Sequence, residues 1–199
     1  LSKPYTLTCE ESEEYLSMVQ DTLGKNFQNR RLMRLGVSAS NGGIAWLHPY
    51  IDEQGKFQTM IIPPEQGIPL WRDNDHEELN GFIWFYNVQV IEGQEQKTVT
   101  KVEYWLPEAV AYYVSDSEGE GWDLRRDAER YLDAVADENS EFMEHFHIGK
   151  EAGNWGRIPF VPFKNNDYEL PDLKFVKSLI DGYDKARSDV ANFLDEVRS

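Results

Sequence analysis

The sequence predicts an α+β chain: N-terminal helices, antiparallel hairpins and a meander, and one long C-terminal helix. Three observations carry this. Between residues 82 and 91, Phe82, Trp84, Tyr86, Val88 and Val90 recur at the two-residue period of a strand, with Asn87 and Gln89 on the other face. Glycine-bearing turn signals separate runs of this kind, as in Asp52-Glu53-Gln54-Gly55 and Glu92-Gly93-Gln94-Glu95-Gln96. From Leu173 to Val197, apolar residues return at alternating three- and four-residue steps with no proline to break them.

Taken in order, residues 10–41 read as helix. Tyr15, Leu16, Val19 and Leu23 mark one apolar face, and Phe27, Leu32 and Leu35 a second after a break near Gly24. Asn41-Gly42-Gly43 then stops the pattern with residues that tolerate positive φ. The glycine pair could also suggest a phosphate loop, but the Lys-Ser/Thr partner and the preceding strand are missing, so a helix cap is the better reading. Residues 44–50 and 56–62 form a hairpin around the Asp52–Gly55 turn, followed by Pro63-Pro64-Glu65. The strand at 82–91 turns back into 98–106, where Val102, Tyr104 and Leu106 share a face, and 109–114 resumes after Pro107. This is an antiparallel meander with one face packed and one partly wet. Its aromatic residues could stack on sugars, but alternating rings in a strand usually pack a core.

Residues 115–121 are an acidic, glycine-rich loop whose spacing misses the calcium-loop pattern. Leu124, Ala128, Leu132 and Val135 mark a short helix, and 115–140 reads as an insertion. Glu141, Met143, His145 and His147 would share a face on a strand, or Glu141 and His145 one helical turn. Neither arrangement, with or without Glu144, reproduces a zinc motif, so no metal site is assigned. Residues 156–164 read as a strand flanked by Pro159 and Pro162, closed by the Asn165-Asn166 turn. Pro171 suits a first helical position, and Asp172 suits the positive end of a helix.

The final helix is expected to run unbroken from Asp172 to Val197, with Gly182 its weakest point by about 1 kcal/mol relative to alanine. Leu173, Val176, Ile180, Tyr183, Arg187, Val190, Leu194 and Val197 form its stripe, widened by Leu179, Ala186 and Phe193. Lys174, Ser178, Asp181, Lys185, Ser188, Asn192 and Asp195 form a polar line opposite.

With 36 acidic and 20 basic residues, the formal net charge of −16 argues against broad electrostatic gripping of nucleic acid or anionic membrane. It permits a protein that surrounds DNA without holding it. Cys9 is the only cysteine, which rules out an internal disulfide and a cysteine-based zinc site. No apolar run reaches membrane-spanning length. The chain opens on Leu1, which suggests that an upstream part has been removed. No serine elbow, Walker loop or nucleophile–base pair stands out, so no catalytic residue, metal or cofactor is assigned and an enzyme is not expected.

The run GRIPFVPFKNND (156–167) followed by LPDLKFVKSLIDGYDKARSDVANFLDEV (170–197) resembles the portal proteins of tailed double-stranded-DNA bacteriophages, in the branch common among phages of Gram-positive hosts. Residues 36–70, with strand, acidic Gly turn, strand and Pro-Pro-Glu, follow the same plan. The resemblance implies a wing-like α+β region over 1–168 and a long stem-like helix over 169–199. It implies a subunit of a ring-shaped channel at the capsid vertex, typically of twelve copies, through which DNA is packaged and ejected. Its partners would be other copies, terminase, head–tail connector and capsid proteins, and duplex DNA in weak non-specific contact. Its place would be the virion, and the host cytoplasm during assembly. Lys174, Ser178, Asp181, Lys185, Arg187, Ser188, Asn192 and Asp195 would line the channel or face neighbouring subunits. The family's clip, second stem helix, channel loop and crown have no counterpart here, so the chain is expected to be a fragment. The alternative is an α+β ligand- or carbohydrate-binding module, which would show Trp84 and Tyr86 in an exposed row.

Overall fold

A computed structural model describes residues 7–10, 12–23, 30–93, 95–116, 123–132, 141–148 and 151–198. Two helices open it, α1 (Glu13–Leu23) and α2 (Leu32–Gly42), and the break between them lies outside the described residues. The glycine stop works as a cap: Gly43 takes φ 89° and its N–H donates to the Ala39 carbonyl at 2.6 Å.

Strands β1 (Ile44–Ile51) and β2 (Phe57–Ile62) form the expected hairpin. The Asp52 carboxylate accepts the N–H groups of Gln54 and Lys56 across the turn, which holds its pKa below the usual range, and Gly55 supplies the positive φ. A later strand, β10 (Val161–Lys164), adds to the other edge of β1, giving the order β10-β1-β2. The second sheet has five strands in sequence order: β3 (Gly67–Trp71), β4 (Leu79–Glu92), β5 (Glu95–Trp105), β6 (Val110–Ser115) and β7 (Arg125–Arg126). The meander is therefore as expected at its centre. It is extended by β3 and β7, two short edge strands whose pattern is too brief to read locally.

The core lies between the two sheets. Trp46 and Ile62 from the small sheet meet Phe82, Trp105 and Val110 from the large one, with Met143, Ile158 and Phe160 filling the seam. On the outer face of the small sheet, Leu35 and Ala39 of α2 pack on Ala45, beside Leu47 and Ile61. The alternation of β1, Trp46 inward and Ala45 outward, thus serves two layers.

Two expectations are corrected. Residues 156–164 are not one strand: Gly156 turns with φ 66°, and Ile158, Pro159 and Phe160 enter the core as buried irregular chain before pairing begins at Val161. Proline at 159 has no N–H to offer a ladder. The short helix, α3 (Ala128–Leu132), begins only after β7, so Leu124 lies before it and exposed rather than on its face, and Val135 is outside the described residues. A separate two-stranded sheet pairs Phe146–Ile148 (β8) with Glu151–Gly153 (β9).

Along the same face of the large sheet beyond the core, α3 is clamped by ionic contacts. Lys101 Nζ sits 2.6 Å from Asp127, both side chains largely buried. The buried Glu103 carboxylate accepts from Tyr86 Oη at 2.9 Å and Trp105 Nε1 at 3.0 Å, with Arg130 at 3.5 Å. Burial pushes the Glu103 pKa up, and Arg130 and the two donors oppose the shift.

Candidate functional site

The final helix, α4 (Asp172–Arg198), is a single element of 27 residues that passes Gly182 without interruption, roughly 40 Å long at about 1.5 Å per residue. Every residue from Asp172 to Val197 is exposed. Its apolar side carries Leu173, Phe175, Val176, Leu179, Ile180 and Tyr183, then Val190, Phe193, Leu194 and Val197. Projected at 3.6 residues per turn, these cover roughly 160° of the helix, wider than the ~100° stripe that one packing surface needs. Nothing in the described chain covers them.

The polar line faces away from that stripe. Lys174, Ser178, Asp181, Lys185, Ser188, Asn192 and Asp195 all lie on it in solvent. Asp181 takes a 2.6 Å ion pair from Lys177, and Ser188 Oγ donates to the Asp184 carbonyl. Arg187 does not belong to the line. The helical spacing puts it within the apolar stripe, between Tyr183 and Val190.

What fixes α4 to the sheets is a small joint. Asp172, its first residue, accepts Ser40 Oγ at 2.6 Å and Asn165 Nδ2 at 2.7 Å, and these bonds hold its carboxyl below the usual range. Asn166 Oδ1 accepts the Tyr168 and Leu170 N–H groups, and Asn166 Nδ2 donates to the Leu170 carbonyl. The Asn165 N–H donates to Gly43, tying this turn to the end of α2. Glu169 adopts φ 53° and draws in Lys164 and His76, each at 3.0 Å. The His76 ring lies flat on Trp71, with centroids 4.8 Å apart. The Asn-Asn turn and Asp172 were legible locally. Ser40, Gly43, His76 and Glu169 were not, because they meet only when β10 lies beside β1.

Elsewhere, the chemistry-bearing residues are occupied structurally. His145 is buried, donating from Nε2 to the Leu106 carbonyl at 2.8 Å and accepting the Trp155 N–H at Nδ1. Glu141 and Glu144 are exposed, and no group of acidic, His and Cys residues fit to hold a metal occurs among the described residues. His48 is buried against Phe160 and Trp105 and donates from Nδ1 to the Pro159 carbonyl. Trp84 packs against the core with its Nε1 buried, and Tyr86 is half-buried with its hydroxyl on Glu103, so the two rings form no exposed row.

The comparisons agree with this architecture. A family model described as "Phage portal protein, SPP1 Gp6-like" matches residues 1–199. The portal protein of Bacillus phage SPP1 is 31% identical over 190 residues, covering 94% of this chain and 34% of the relative. The portal protein of Clostridium phage phiCD119 is 28% identical over 205 aligned residues, covering 98% of this chain and 41% of the relative. The chain thus spans 34% and 41% of the lengths of these two curated relatives. A full-length family match, over a fold of mixed helices and antiparallel sheets with a projecting terminal helix, makes this chain a member of the SPP1 Gp6-like phage portal protein family.

Proposed function

We propose that the chain is the wing-like region and first stem helix of a portal subunit, a non-enzymatic structural part of a ring at the capsid vertex through which DNA enters and leaves. The observation that carries the reading is α4: ten large apolar side chains stand in water along one side of a single helix. Exposed apolar surface on this scale marks an interface. A stripe of roughly 160° suits packing against more than one neighbouring helix, as in a ring of stem helices. The channel-facing or subunit-facing residues are Lys174, Ser178, Asp181, Lys185, Ser188, Asn192 and Asp195 on the polar line, with Arg187 toward a neighbour. Terminase, connector and capsid proteins are the partners, the ring has about twelve copies as the family resemblance implies, and assembly takes place in the host cytoplasm before the virion forms.

Electron microscopy of the gene product containing this chain tests the proposal. Rings with a central hole are expected, and a Leu179→Glu, Leu194→Glu variant should lose them while keeping its sheets. A monodisperse monomer at high concentration would overturn it.

A further inference from the structure

We infer that α1 of one copy docks into a groove beside α2 of a second copy, so that the N-terminal segment straps neighbouring subunits together. That the partner is a second copy rests on the ring reading above.

The groove lies between α2 and the edge strand β10. Phe163 pairs with Ala45 and Val161 with Leu47, so both point to the sheet face on which α2 packs. They lie at the edge and stay 41% and 52% exposed. One side of α2 faces β2, because Arg31 donates to the Thr59 carbonyl at 2.6 Å and Gly42 abuts Pro64. The other side faces β10 and the turn after it, where the Asn165 N–H donates to Gly43 and Ser40 donates to Asp172 at the start of α4. At helical spacing that second side also carries Gly36, Met33 and Val37, the last two 55% and 59% exposed. Gly36 forms the floor: a Cβ there would touch nothing within 4 Å. Its φ is ordinary, and glycine inside a helix costs about 1 kcal/mol relative to alanine. Nothing within the described chain requires it, whereas close approach of a second helix would.

The occupant is argued from charge and from what α1 lacks. From Thr22 to Ile51 the sequence has no acidic residue and holds Lys25, Arg30, Arg31 and Arg34, in a chain of net charge −16. Arg30 and Arg34 flank Met33 and Val37 and are exposed. Helix α1 is the complement: Glu13, Glu14 and Asp21, with no basic residue, around Tyr15 and Met18, which are 58% and 57% exposed. Arg30, Arg34, Glu14 and Asp21 carry no ion pair among the described residues. Helix α1 also buries no residue of its own, and its hydrogen bonds are local, such as the Tyr15 N–H to Ser12 Oγ. Eleven residues are too few for a stable isolated helix in water. Different faces on each copy make the contact head-to-tail, the type that closes rings.

The test uses disulfide trapping in a Cys9→Ser background, with Met18→Cys on one tagged chain and Val37→Cys on another. Assembling the two chains together and then oxidising mildly should give the mixed disulfide as the main cross-linked product. Arg30→Glu with Arg34→Glu should lower its yield roughly tenfold at low salt, and adding Glu14→Lys with Asp21→Lys should restore it. Gly36→Leu should keep or raise thermal stability, since the space is open, yet abolish trapping by filling the floor. A disulfide formed only within a chain carrying both cysteines would show α1 seated on its own subunit and overturn the inference, as would no disulfide at all. Rings by microscopy without the mixed disulfide overturn the strap and leave the ring. A mixed disulfide in a species that forms no ring does the reverse.

Discussion

A Cβ placed on Gly43 would lie 1.9 Å from the carbonyl oxygen of Glu169. The two residues are far apart in sequence, and their contact is the pivot on which α4 is mounted. Gly43 stands at φ 89° and Glu169 at φ 53°, so both backbones are in the left-handed region where the last turn of α2 meets the first turn before α4. Replacing Gly43 by alanine would add a clash with a main-chain atom to the left-handed penalty of about 1–2 kcal/mol. We expect Gly43→Ala to destabilise the fold by at least about 2 kcal/mol. Gly93, also at positive φ but with no atom within 4 Å of its Cβ, should cost about 1 kcal/mol as alanine. Equal losses in parallel urea titrations would contradict the pivot.

The Lys101–Asp127 pair predicts a larger penalty for one substitution than for two. Their side chains are 16% and 4% exposed, and the 2.6 Å contact anchors the chain entering α3 to β5. Lys101→Met leaves a buried carboxylate without its cation, at a cost of about 3 kcal/mol. Lys101→Met with Asp127→Asn removes the orphaned charge and should recover part of that loss. A double variant less stable than the single one, measured by chemical denaturation, would sink this account.

Two buried histidines predict acid lability. Burial lowers His48 to about 4, with its bond to Pro159 opposing the shift, and lowers His145 as well. The folded pKa values lie below the unfolded value near 6.5. The unfolded chain therefore takes up protons first, and the stabilisation is complete above pH 6.5 and lost as pH falls toward 4. For His48 alone this amounts to about 3 kcal/mol across that window. Unfolding free energies at pH 7.5, 6, 5 and 4 should fall, less steeply in His48→Phe. A curve flat to pH 4.5 would contradict neutral, buried rings.

A passive conduit should hold DNA weakly. Tight non-specific binding needs several cationic contacts that release counterions. On the polar line of α4, Lys174 and Lys185 alternate with Asp181 and Asp195, and Asp181 is already paired to Lys177. Fluorescence anisotropy with a random duplex should therefore show little binding, gone by moderate salt. Sub-micromolar affinity at about 0.15 M salt would overturn the passive reading.

What the sequence determined by itself was whatever local period and turn chemistry encode. The three-four spacing from Leu173 to Val197 was enough for an unbroken α4, and Asp52–Gly55 for the β1–β2 hairpin, because each is set by neighbours within a few residues. The resemblance at 156–197 was legible for the same reason, being one continuous block. Tertiary structure alone decided which distant segments meet. Only after β10 pairs with β1 do Ser40 and Gly43 reach Asp172 and Glu169, and only inter-sheet packing carries Ile158 and Phe160 inward as irregular chain. It also left α4 uncovered. An amphipathic pattern specifies that a face will be buried, but the partner that buries it lies outside the pattern.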